Sequence, residues 1–489
     1  MSQFAMPACS PQGSSGSLRE VVLAGPGSPD TFAGDGVGGV LAILANPRRV
    51  AVALDEAGHV DVRRRVLTAP VTTALVLGLC LFTGQGYPSV LARLWPLLGA
   101  FNPAIWMWAT VSASALSQAR ARLPVAVMRR LFEGLAGAVL VEVAGLRVFG
   151  LVVTAVDGTV VDLADTAQIR ERYATPSGGR FPQARVVTLV VCGTRRVLGA
   201  VLDSCALSEQ ALWDRMVGQL RPGTLNLANR NFFSMHRWRT AAGTGAHLIW
   251  RVKNGAKSLP AKVITTLPDG SHLVRLRESD AMLSARRKAS QDKTIPRLDD
   301  ITARLIEFTV TLTDQGGRSR TSQFRVLTTL LDHDSYPAAQ VAACYAQRWQ
   351  VELVYKTIKS TLRGSGRRLR GQVPDLAEQE IWGLLAVYNA LVDQAITAAV
   401  DLDVDPDEIS FSVVLHAARD HLSRPCQACG HHSNSRDLTA AIITGPRNRT
   451  DRHRTSPRTA KDRQIQHTRN VVYTIAITQA NLPKRDETP

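Results

Sequence analysis

The residues best suited to chemistry lie in the stretch Ala343–Lys359, which reads ACYAQRWQVELVYKTIK. It holds Tyr345, Arg348, Glu352 and Lys359 at offsets of 0, 3, 7 and 14. At about 100° per residue, these four fall within roughly 60° of one another on a helix. A metal-dependent nuclease needs such a set, because a carboxylate holds a divalent ion while cations hold the phosphates beside the scissile bond. The alternative is a solvated charged face, since Arg and Glu at helical spacing also make ordinary surface pairs.

The spacing Tyr-x2-Arg-x3-Glu-x6-Lys resembles the signature of a large group of bacterial cut-and-paste insertion-sequence transposases of the DDE type, and this stretch matches all four positions. The resemblance covers roughly Arg48 to Val400. Five further stretches resemble the same group in the same order: SALSQARARL at Ser114–Leu123, AVDGTVVDLADT at Ala155–Thr166, LANRNFFS at Leu227–Ser234, HLIWRVK at His247–Lys253 and EIWGLLAVYNAL at Glu380–Leu391.

The resemblance implies an α/β fold, with a ribonuclease-H-like catalytic domain that carries a β-rich insertion and follows a small helical domain. It assigns the first metal-binding acid to Asp157 and the third to Glu352, and it places Tyr345, Arg348 and Lys359 against DNA. The implied cofactor is a pair of Mg²⁺ ions, for which Mn²⁺ can substitute. The implied partners are the terminal inverted repeats and the target DNA, bound by a homodimer.

One departure from the group's pattern falls at the second acid. The group has Asp-Arg-Gly-Phe there, whereas residues 229–232 read NRNF. Asn229 replaces the acid by its amide and Asn231 replaces the glycine. An amide oxygen can contact a metal but brings no negative charge, so we expect Asn229 to serve as a weaker catalytic and metal ligand and to impair catalysis. Glu209 and Asp214 are possible substitutes, but both belong to the preceding predicted helix rather than to the strand end.

Composition indicates a polyanionic partner. The 489 residues include 58 Lys and Arg against 41 Asp and Glu, a net charge of +17. Nucleic acid is the expected partner, and an anionic membrane surface is the alternative. The seven cysteines lie mostly inside apolar runs, which is typical of a reducing cytoplasm. The N-terminus lacks the pattern of a signal peptide. The apolar stretch Val66–Ala92 is broken by Pro and Gly, which favours a buried helix. We therefore expect a bacterial cytoplasmic, nucleoid-associated protein with no membrane contact.

Composition and hydrophobic periodicity divide the chain into four parts. Residues 1–47 are rich in Ser, Gly and Pro and are predicted to be disordered. Residues 48–146 have helical periodicity and are expected to form a DNA-binding domain, with Arg120 and Arg122 on a polar side that suits phosphates or solvent. Residues 147–400 are expected to form the ribonuclease-H-like domain, with the insertion at about 254–324. Residues 401–489 form a basic C-terminal region.

Within the catalytic part, β-branched runs and turn signals predict three strands in a meander and then alternating helix and strand. The first strand is expected to end at Asp157, where a carboxylate can protrude into a cleft; the alternative is an ordinary turn aspartate before Gly158. The later elements predicted are a hairpin at Gly193–Arg195, a helix at Ser208–Leu220, a strand at Thr224–Ala228, a helix at Phe233–Gly243, a strand at His247–Val252, a strand at Arg325–Asp332 and a core helix at Glu380–Val400.

Two features of the C-terminal region could bind ligands. Cys426 and Cys429 have the spacing of half a zinc site, and His421, His431 and His432 lie nearby in sequence, but a second half-site at standard spacing is missing. The stretch Arg447–Arg469 holds eight basic residues and is expected to be an arm that binds DNA without sequence preference.

The sequence leaves three related functions open: an impaired transposase, which the change at Asn229 favours; an active one that uses another acid; and a DNA-binding protein that has lost catalysis. A basic membrane-associated protein is the alternative of another class. In such a protein, the helical stripe formed by Tyr345, Arg348, Glu352 and Lys359 would be a coincidence. So would the position of Asp157 at a predicted strand end.

Overall fold

A computed structural model gives the arrangement of most of the chain. It describes residues 20–21, 46–61, 66–98, 101–102, 111–137, 140–143, 145–254, 259, 261–313, 319–423, 435–448 and 472–478. The predicted zinc motif at Cys426 and Cys429 lies outside the described residues. So do nearly all of the segment 1–47 and of the basic arm Arg447–Arg469.

Five helices form the N-terminal part: α1 (Pro47–Glu56), α2 (Ala69–Leu81), α3 (Tyr87–Leu98), α4 (Ala113–Arg122) and α5 (Val125–Ala136). The local sequence sets where they begin. Asn46 caps α1 by accepting a hydrogen bond from the backbone N–H of Arg48, and Pro47 fills the first helical position. Ser112 caps α4 in the same way through Ala115. Helix α2 is apolar on all sides, and twelve of its thirteen residues are buried.

Strands β1 (Glu20–Val21) and β2 (Leu140–Val141) form a separate antiparallel pair. The other eleven strands of the described residues belong to one sheet. Its first half comprises β3 (Arg147–Val148), β4 (Leu151–Asp162), β5 (Gln183–Val191), β6 (Val197–Ser204), β7 (Thr224–Ala228) and β8 (His247–Arg251), joined through α6 (Ala167–Arg172), α7 (Glu209–Asp214) and α8 (Met235–Ala242).

The strand order in this half is β6-β5-β4-β7-β8. Strands β4, β5 and β6 are antiparallel neighbours, whereas β7 runs parallel to β4 and β8 runs parallel to β7. An antiparallel meander followed by parallel strands reached through helices is the ribonuclease-H-like arrangement. The predicted strand Thr224–Ala228 is confirmed, as is the hairpin whose turn has Arg195 at a positive φ.

The second half of the sheet comprises β9 (Ala261–Thr266), β10 (His272–Leu276), β11 (Ile301–Thr313), β12 (Ser319–Thr328) and β13 (Val472–Ile477), with α9 (Asp280–Ser290) after β10. Strand β12 pairs with β8, so the β-rich insertion extends the catalytic sheet rather than forming a sheet of its own. The predicted strand Arg325–Asp332 is misplaced. Because β12 pairs with β11 along its whole length, it begins at Ser319 and ends at Thr328.

The remaining helices are α10 (Ala338–Tyr345), α11 (Gln350–Lys356), α12 (Pro374–Asp401), α13 (Phe411–Ser423) and α14 (Ser435–Ile443). Helix α12 lies between the N-terminal helices and the sheet. Its buried Asn389 accepts a hydrogen bond from the N–H of Val197 at 3.0 Å and donates one to the same residue's carbonyl at 2.8 Å, which secures strand β6. On its other side, Gly383 allows α2 to approach, since a Cβ there would meet the sulfur of Cys80 at 2.8 Å.

Helix α12 is the one helix of the described residues that is long and apolar enough to cross a membrane, and 78 % of its apolar window is buried inside the protein. Within the stretch Val66–Ala92, the residues Ala69–Leu81 form the buried helix α2, as predicted.

Arg120 differs from its prediction. It is buried rather than on a polar side with Arg122, because α4 packs against α12. Its guanidinium donates to Gln379 at 3.3 Å and to the hydroxyl of Tyr87 at 3.1 Å, and lies 3.6 Å from the carboxylate of Glu380. Burial raises the pKa of Glu380. Arg120 therefore joins the helical part to α12 and cannot reach a phosphate.

We expect Arg120→Ala to lower the free energy of unfolding by roughly 3–5 kcal/mol, because it removes the cation that lies 3.6 Å from the buried carboxylate of Glu380. Arg122→Ala, the matched change at the exposed neighbour, should alter it by about 0.5 kcal/mol or less. Urea unfolding of both variants measures the difference. Equal effects would contradict a structural role for the Arg120 ion pair.

Candidate active site

The stretch Ala343–Lys359 forms one helical rod whose pitch changes along its length. Tyr345 ends α10, Arg348 lies in a following 3₁₀ turn, Glu352 lies in the first turn of α11, and Lys359 lies in a π-helical turn. All four side chains lie on the side of the rod that faces strands β4 and β7 of the sheet. The rod therefore keeps the predicted stripe together despite its irregular turns.

Hydrogen bonds at both ends attach the rod to the sheet. The hydroxyl of Tyr345 donates to the carbonyl of Ala228, the last residue of β7, at 3.3 Å. The ammonium of Lys359 donates to the hydroxyl of Thr159 and to the carbonyl of Val160, both on β4 and both at 2.6 Å. Tyr345 is only 6 % exposed. The alternative of a solvated charged face is therefore wrong for this stretch.

Between these ends, the guanidinium of Arg348 joins two carboxylates. Its Nη1 lies 3.0 Å from Oδ2 of Asp157 and its Nη2 lies 2.9 Å from Oε1 of Glu352. The three side chains are 17 %, 14 % and 20 % exposed in the order Arg348, Asp157, Glu352. Charge-assisted hydrogen bonds of this kind are strong and directional. The residues predicted as the first and third acids are thus neighbours across one cation.

Asp157 lies inside a strand, so the predicted strand end and turn at Gly158 are wrong. Strand β4 continues to Asp162 because it pairs with β5 as far as that residue. Its parallel pairing with β7, however, ends at Val156 and Ala228. Asp157 is therefore the first residue of β4 beyond β7.

Asn229 lies beside Asp157 because it directly follows β7. Its side-chain nitrogen donates to Oδ1 of Asp157 at 3.1 Å, and its side-chain oxygen accepts from the backbone N–H of Asn231 at 2.7 Å. The amide thus meets the same carboxylate that binds Arg348. The position predicted for the second acid belongs to the same cluster.

Glu209 also reaches the cluster, contrary to the expectation from its place on a helix. A Cβ at Gly158 would lie 2.7 Å from Cγ and Oε1 of Glu209, so this side chain rests on the β4 backbone next to Asp157. The side-chain amide of Asn231 donates to its Oε2 at 2.9 Å. Asp214 instead binds Arg237 through both carboxylate oxygens. The sequence signal that could have found Glu209 is the glycine after Asp157, which leaves room for another side chain.

Tyr355 is a further residue that the sequence analysis missed. It is buried, and its hydroxyl donates to the backbone carbonyl of Asp157 at 2.6 Å while lying 2.8 Å from the hydroxyl of Thr188 on β5. Burial raises the pKa of its phenol. The signal was its position three residues after Glu352, on the same side of the helix. Tyr355 holds the backbone of Asp157 against the rod.

The electrostatics of the cluster favour a cation. Burial raises the pKa of Asp157 to about 6, against the lowering effect of Arg348, and the charges of Glu209 and Glu352 raise it further. Burial lowers the pKa of Arg348, but Tyr345 and the two bound carboxylates raise it more, so the guanidinium stays charged. Three carboxyl groups therefore share one permanent positive charge, and additional positive charge would relieve their repulsion.

The donor set fits a hard divalent ion. Carboxylate and amide oxygens are the ligands that Mg²⁺ takes, and Asp157, Glu352 and Asn229 supply them. The guanidinium of Arg348 lies between the first two carboxylates. An ion held by both would therefore compete with Arg348 for the same oxygens.

A second acidic group lies elsewhere. Asp332, His333 and Asp334 are the one set of three in the described chain whose ligand atoms come within 4.8 Å of one another. Both aspartates are exposed, and the set lies in the turn between β12 and α10. None of its members belongs to the cluster around Asp157.

Comparison with known protein families agrees with this geometry. Residues 149–390 match the family described as the transposase DDE domain, and residues 38–133 match the N-terminal domain of insertion element 4 transposases. The first range contains Asp157, Asn229 and Glu352. The chain therefore carries a transposase DDE domain behind an IS4-type N-terminal domain, and it comes from a lineage of enzymes that transfer polynucleotide strands. Domains of this family generally depend on divalent metal ions.

Among individual relatives, transposase InsG of insertion sequence element IS4 from Escherichia coli strain K12 is 28 % identical over 375 residues, which cover 75 % of this chain and 79 % of InsG. The chain is homologous to that protein. The putative transposase InsL of IS186A, from the same strain, is 43 % identical over 77 residues, which cover 16 % of this chain and 20 % of InsL.

A solved structure, the piggyBac transposase synaptic complex with hairpin DNA, matches 78 % of this chain and 79 % of its own chain at 7 % identity and a TM-score of 0.43. The strand order and the family match define the fold as ribonuclease-H-like.

The raised pKa of Asp157 predicts a pH-dependent stability. In the folded protein this carboxyl group keeps its proton at pH values where the unfolded chain has lost it. The free energy of unfolding should therefore fall as the pH rises from about 4 to about 6, by on the order of 2 kcal/mol relative to Asp157→Asn, which cannot titrate. Urea unfolding of both proteins in EDTA at several pH values gives this difference. A difference that stays constant from pH 4 to pH 7 would contradict the burial argument.

Proposed function

We propose that this chain is the transposase of an insertion sequence. It binds the element's terminal inverted repeats and catalyses metal-dependent cleavage and strand transfer into target DNA by a cut-and-paste reaction. The observation that carries the proposal is that the carboxylates of Asp157 and Glu352 both bind the guanidinium of Arg348, next to the end of β7. The net charge of +17 supports a nucleic-acid substrate. The protein acts on DNA in the bacterial cytoplasm, as a homodimer within the DNA complex.

Asp157 and Glu352 are the carboxylates that we assign to two Mg²⁺ ions, with Mn²⁺ as a substitute. Such ions, when bound, activate a water or a 3′-hydroxyl and stabilise the leaving oxygen. The chain's own part is to hold the ligands in place. Strand β4 carries Asp157, the helical rod carries Glu352, and Tyr355 joins the two by its bond to the Asp157 carbonyl.

Arg348 has two successive partners in this proposal. Without metal it pairs with both Asp157 and Glu352. If those oxygens held a divalent ion, the guanidinium would be free to bind a DNA phosphate through two parallel hydrogen bonds. Tyr345 and Lys359 flank it, and Lys359 uses two of its three donors on β4, which leaves one for a phosphate.

Asn229 makes this site weaker than one with an acid at the same position. It offers a neutral oxygen, so Asp157 and Glu352 alone would bring two negative charges to two dications. Less charge at the site means lower metal affinity and less stabilisation of the transition state. We therefore infer that the element is mobilised more slowly than it would be by the same protein with an aspartate at this position.

We expect Asn229→Asp to raise the rate of Mg²⁺-dependent nicking of a duplex that carries the element's own ends, by on the order of tenfold. Glu352→Gln should abolish nicking and leave binding of the same duplex nearly unchanged, because the acid faces metal rather than phosphate. Nicking of labelled duplex, followed on a denaturing gel, measures both. Nicking by Glu352→Gln at the parent rate would rule out the proposed site.

The two roles of Arg348 predict opposite effects of one substitution. Arg348→Gln should raise the affinity for Mn²⁺ several-fold, because a competing positive charge is removed. It should also weaken binding of the end duplex. Titration calorimetry with Mn²⁺ and fluorescence anisotropy with labelled duplex measure the two affinities. Arg237→Gln, which removes an arginine paired with Asp214 outside the cluster, is the control and should change neither. A fall in Mn²⁺ affinity for Arg348→Gln would contradict the competition.

A further inference from the structure

Glu209 is the one carboxylate of the cluster that the DDE pattern does not assign. It projects from the first turn of α7, whereas the pattern's second acid belongs to the end of β7. It nevertheless lies against Gly158, the residue next to Asp157, and its negative charge contributes to the raised pKa of that aspartate. The cluster thus contains three carboxylates, although the position predicted for the second acid holds an amide.

The two residues that depart from the pattern are linked to Glu209. Asn231, which stands where the pattern has glycine, donates its side-chain N–H to Oε2 of Glu209 at 2.9 Å. Its backbone N–H donates to the side-chain oxygen of Asn229, and the side-chain nitrogen of Asn229 donates to Asp157. A glycine at position 231 could not hold Glu209, because it has no side chain. Asn229 thus removes one acid from the pattern, and Asn231 binds another acid, Glu209, beside it.

Further contacts fix Asn231 in this orientation. The side-chain amide of Gln210 donates to the side-chain oxygen of Asn231 at 2.7 Å and to its backbone carbonyl at 3.0 Å. The amide nitrogen of Asn231 is then directed at Glu209. Gly158 provides the space, since a side chain at that position would collide with Glu209. The carboxylate is held at the cluster from two sides.

We propose that Glu209 is the third metal-binding carboxylate of this active site and replaces the charge missing at Asn229, with Asn231 as its positioning residue. This inference rests on the proposed function. It returns the site's carboxylate charge from two negative charges to three, which is the number that the DDE pattern provides. Asn229 still weakens the site, because its own position remains neutral, and Glu209 offsets part of that loss.

The test is a Mn²⁺ titration of the full-length protein without DNA, with free Mn²⁺ followed by electron paramagnetic resonance. Glu209→Gln should weaken Mn²⁺ affinity about tenfold. Asp214→Asn is the matched control, because it removes one charge from the same helix outside the cluster, and it should keep the parent affinity. Equal affinities for these two variants would overturn the proposal.

A second pair of variants tests the replacement itself. In Asn229→Asp/Asn231→Gly, which restores the pattern, adding Glu209→Gln should weaken Mn²⁺ affinity less than threefold. A tenfold loss in this background as well would overturn the claim that Glu209 replaces the missing acid. Asn231→Gly alone, which leaves the Glu209 carboxylate in the chain, should weaken Mn²⁺ affinity without lowering the melting temperature in EDTA. If Glu209→Gln does not fold, Asn231→Gly provides the test instead. An Mn²⁺ affinity of Asn231→Gly equal to that of the parent protein would then overturn the proposal.

Glu352→Gln separates this inference from the proposed function. If Glu352→Gln loses Mn²⁺ affinity while Glu209→Gln keeps it, the inference fails and the metal site at Asp157 and Glu352 stands. If Glu352→Gln keeps the parent affinity, the proposed function fails as well.

Discussion

The arrangement of this site depends on the guanidinium of Arg348 between two carboxylates. Asp157 and Glu352 come from a strand and a helix that are 195 residues apart in sequence, and both are mostly buried. Bringing two such charges together without a cation costs several kcal/mol. Arg348 offsets part of that cost in the absence of metal, and so helps to place the acids before any ion binds. The same ion pair decides where the rod can lie against β4.

The surrounding bonds hold the ligands on regular elements rather than on loops. Tyr345 attaches one end of the rod to β7, Lys359 attaches the other end to β4, and Tyr355 binds the backbone of Asp157 between them. Helix α12 then connects the sheet to the N-terminal helices through Asn389 and through the buried pair of Arg120 and Glu380. A site supported in this way keeps its geometry when charges change, because backbone elements rather than side-chain flexibility set the distances.

The residues around Asn229 connect this uncharged side chain to a neighbouring carboxylate. The amide at Asn229 and the side chain at Asn231 form a short hydrogen-bonded chain from Asp157 to Glu209. An acid missing from a motif position therefore does not by itself show that the surrounding cluster lacks a carboxylate, because Glu209 lies beside Gly158 in the same cluster.

The sequence alone determined the order of strands and helices along the chain, the bounds of β7 and the residues of the helical stripe, because apolar periodicity, turn residues and spacing are properties of one element at a time. Tertiary structure decided three other matters: that β4 runs through Asp157, that Arg120 is buried, and that Glu209 reaches the cluster. Each depends on a partner from a distant part of the chain: β5 beside β4, α12 against α4, and Gly158 beneath Glu209. Periodicity shows which residues share a face, but it carries no information about what packs against that face.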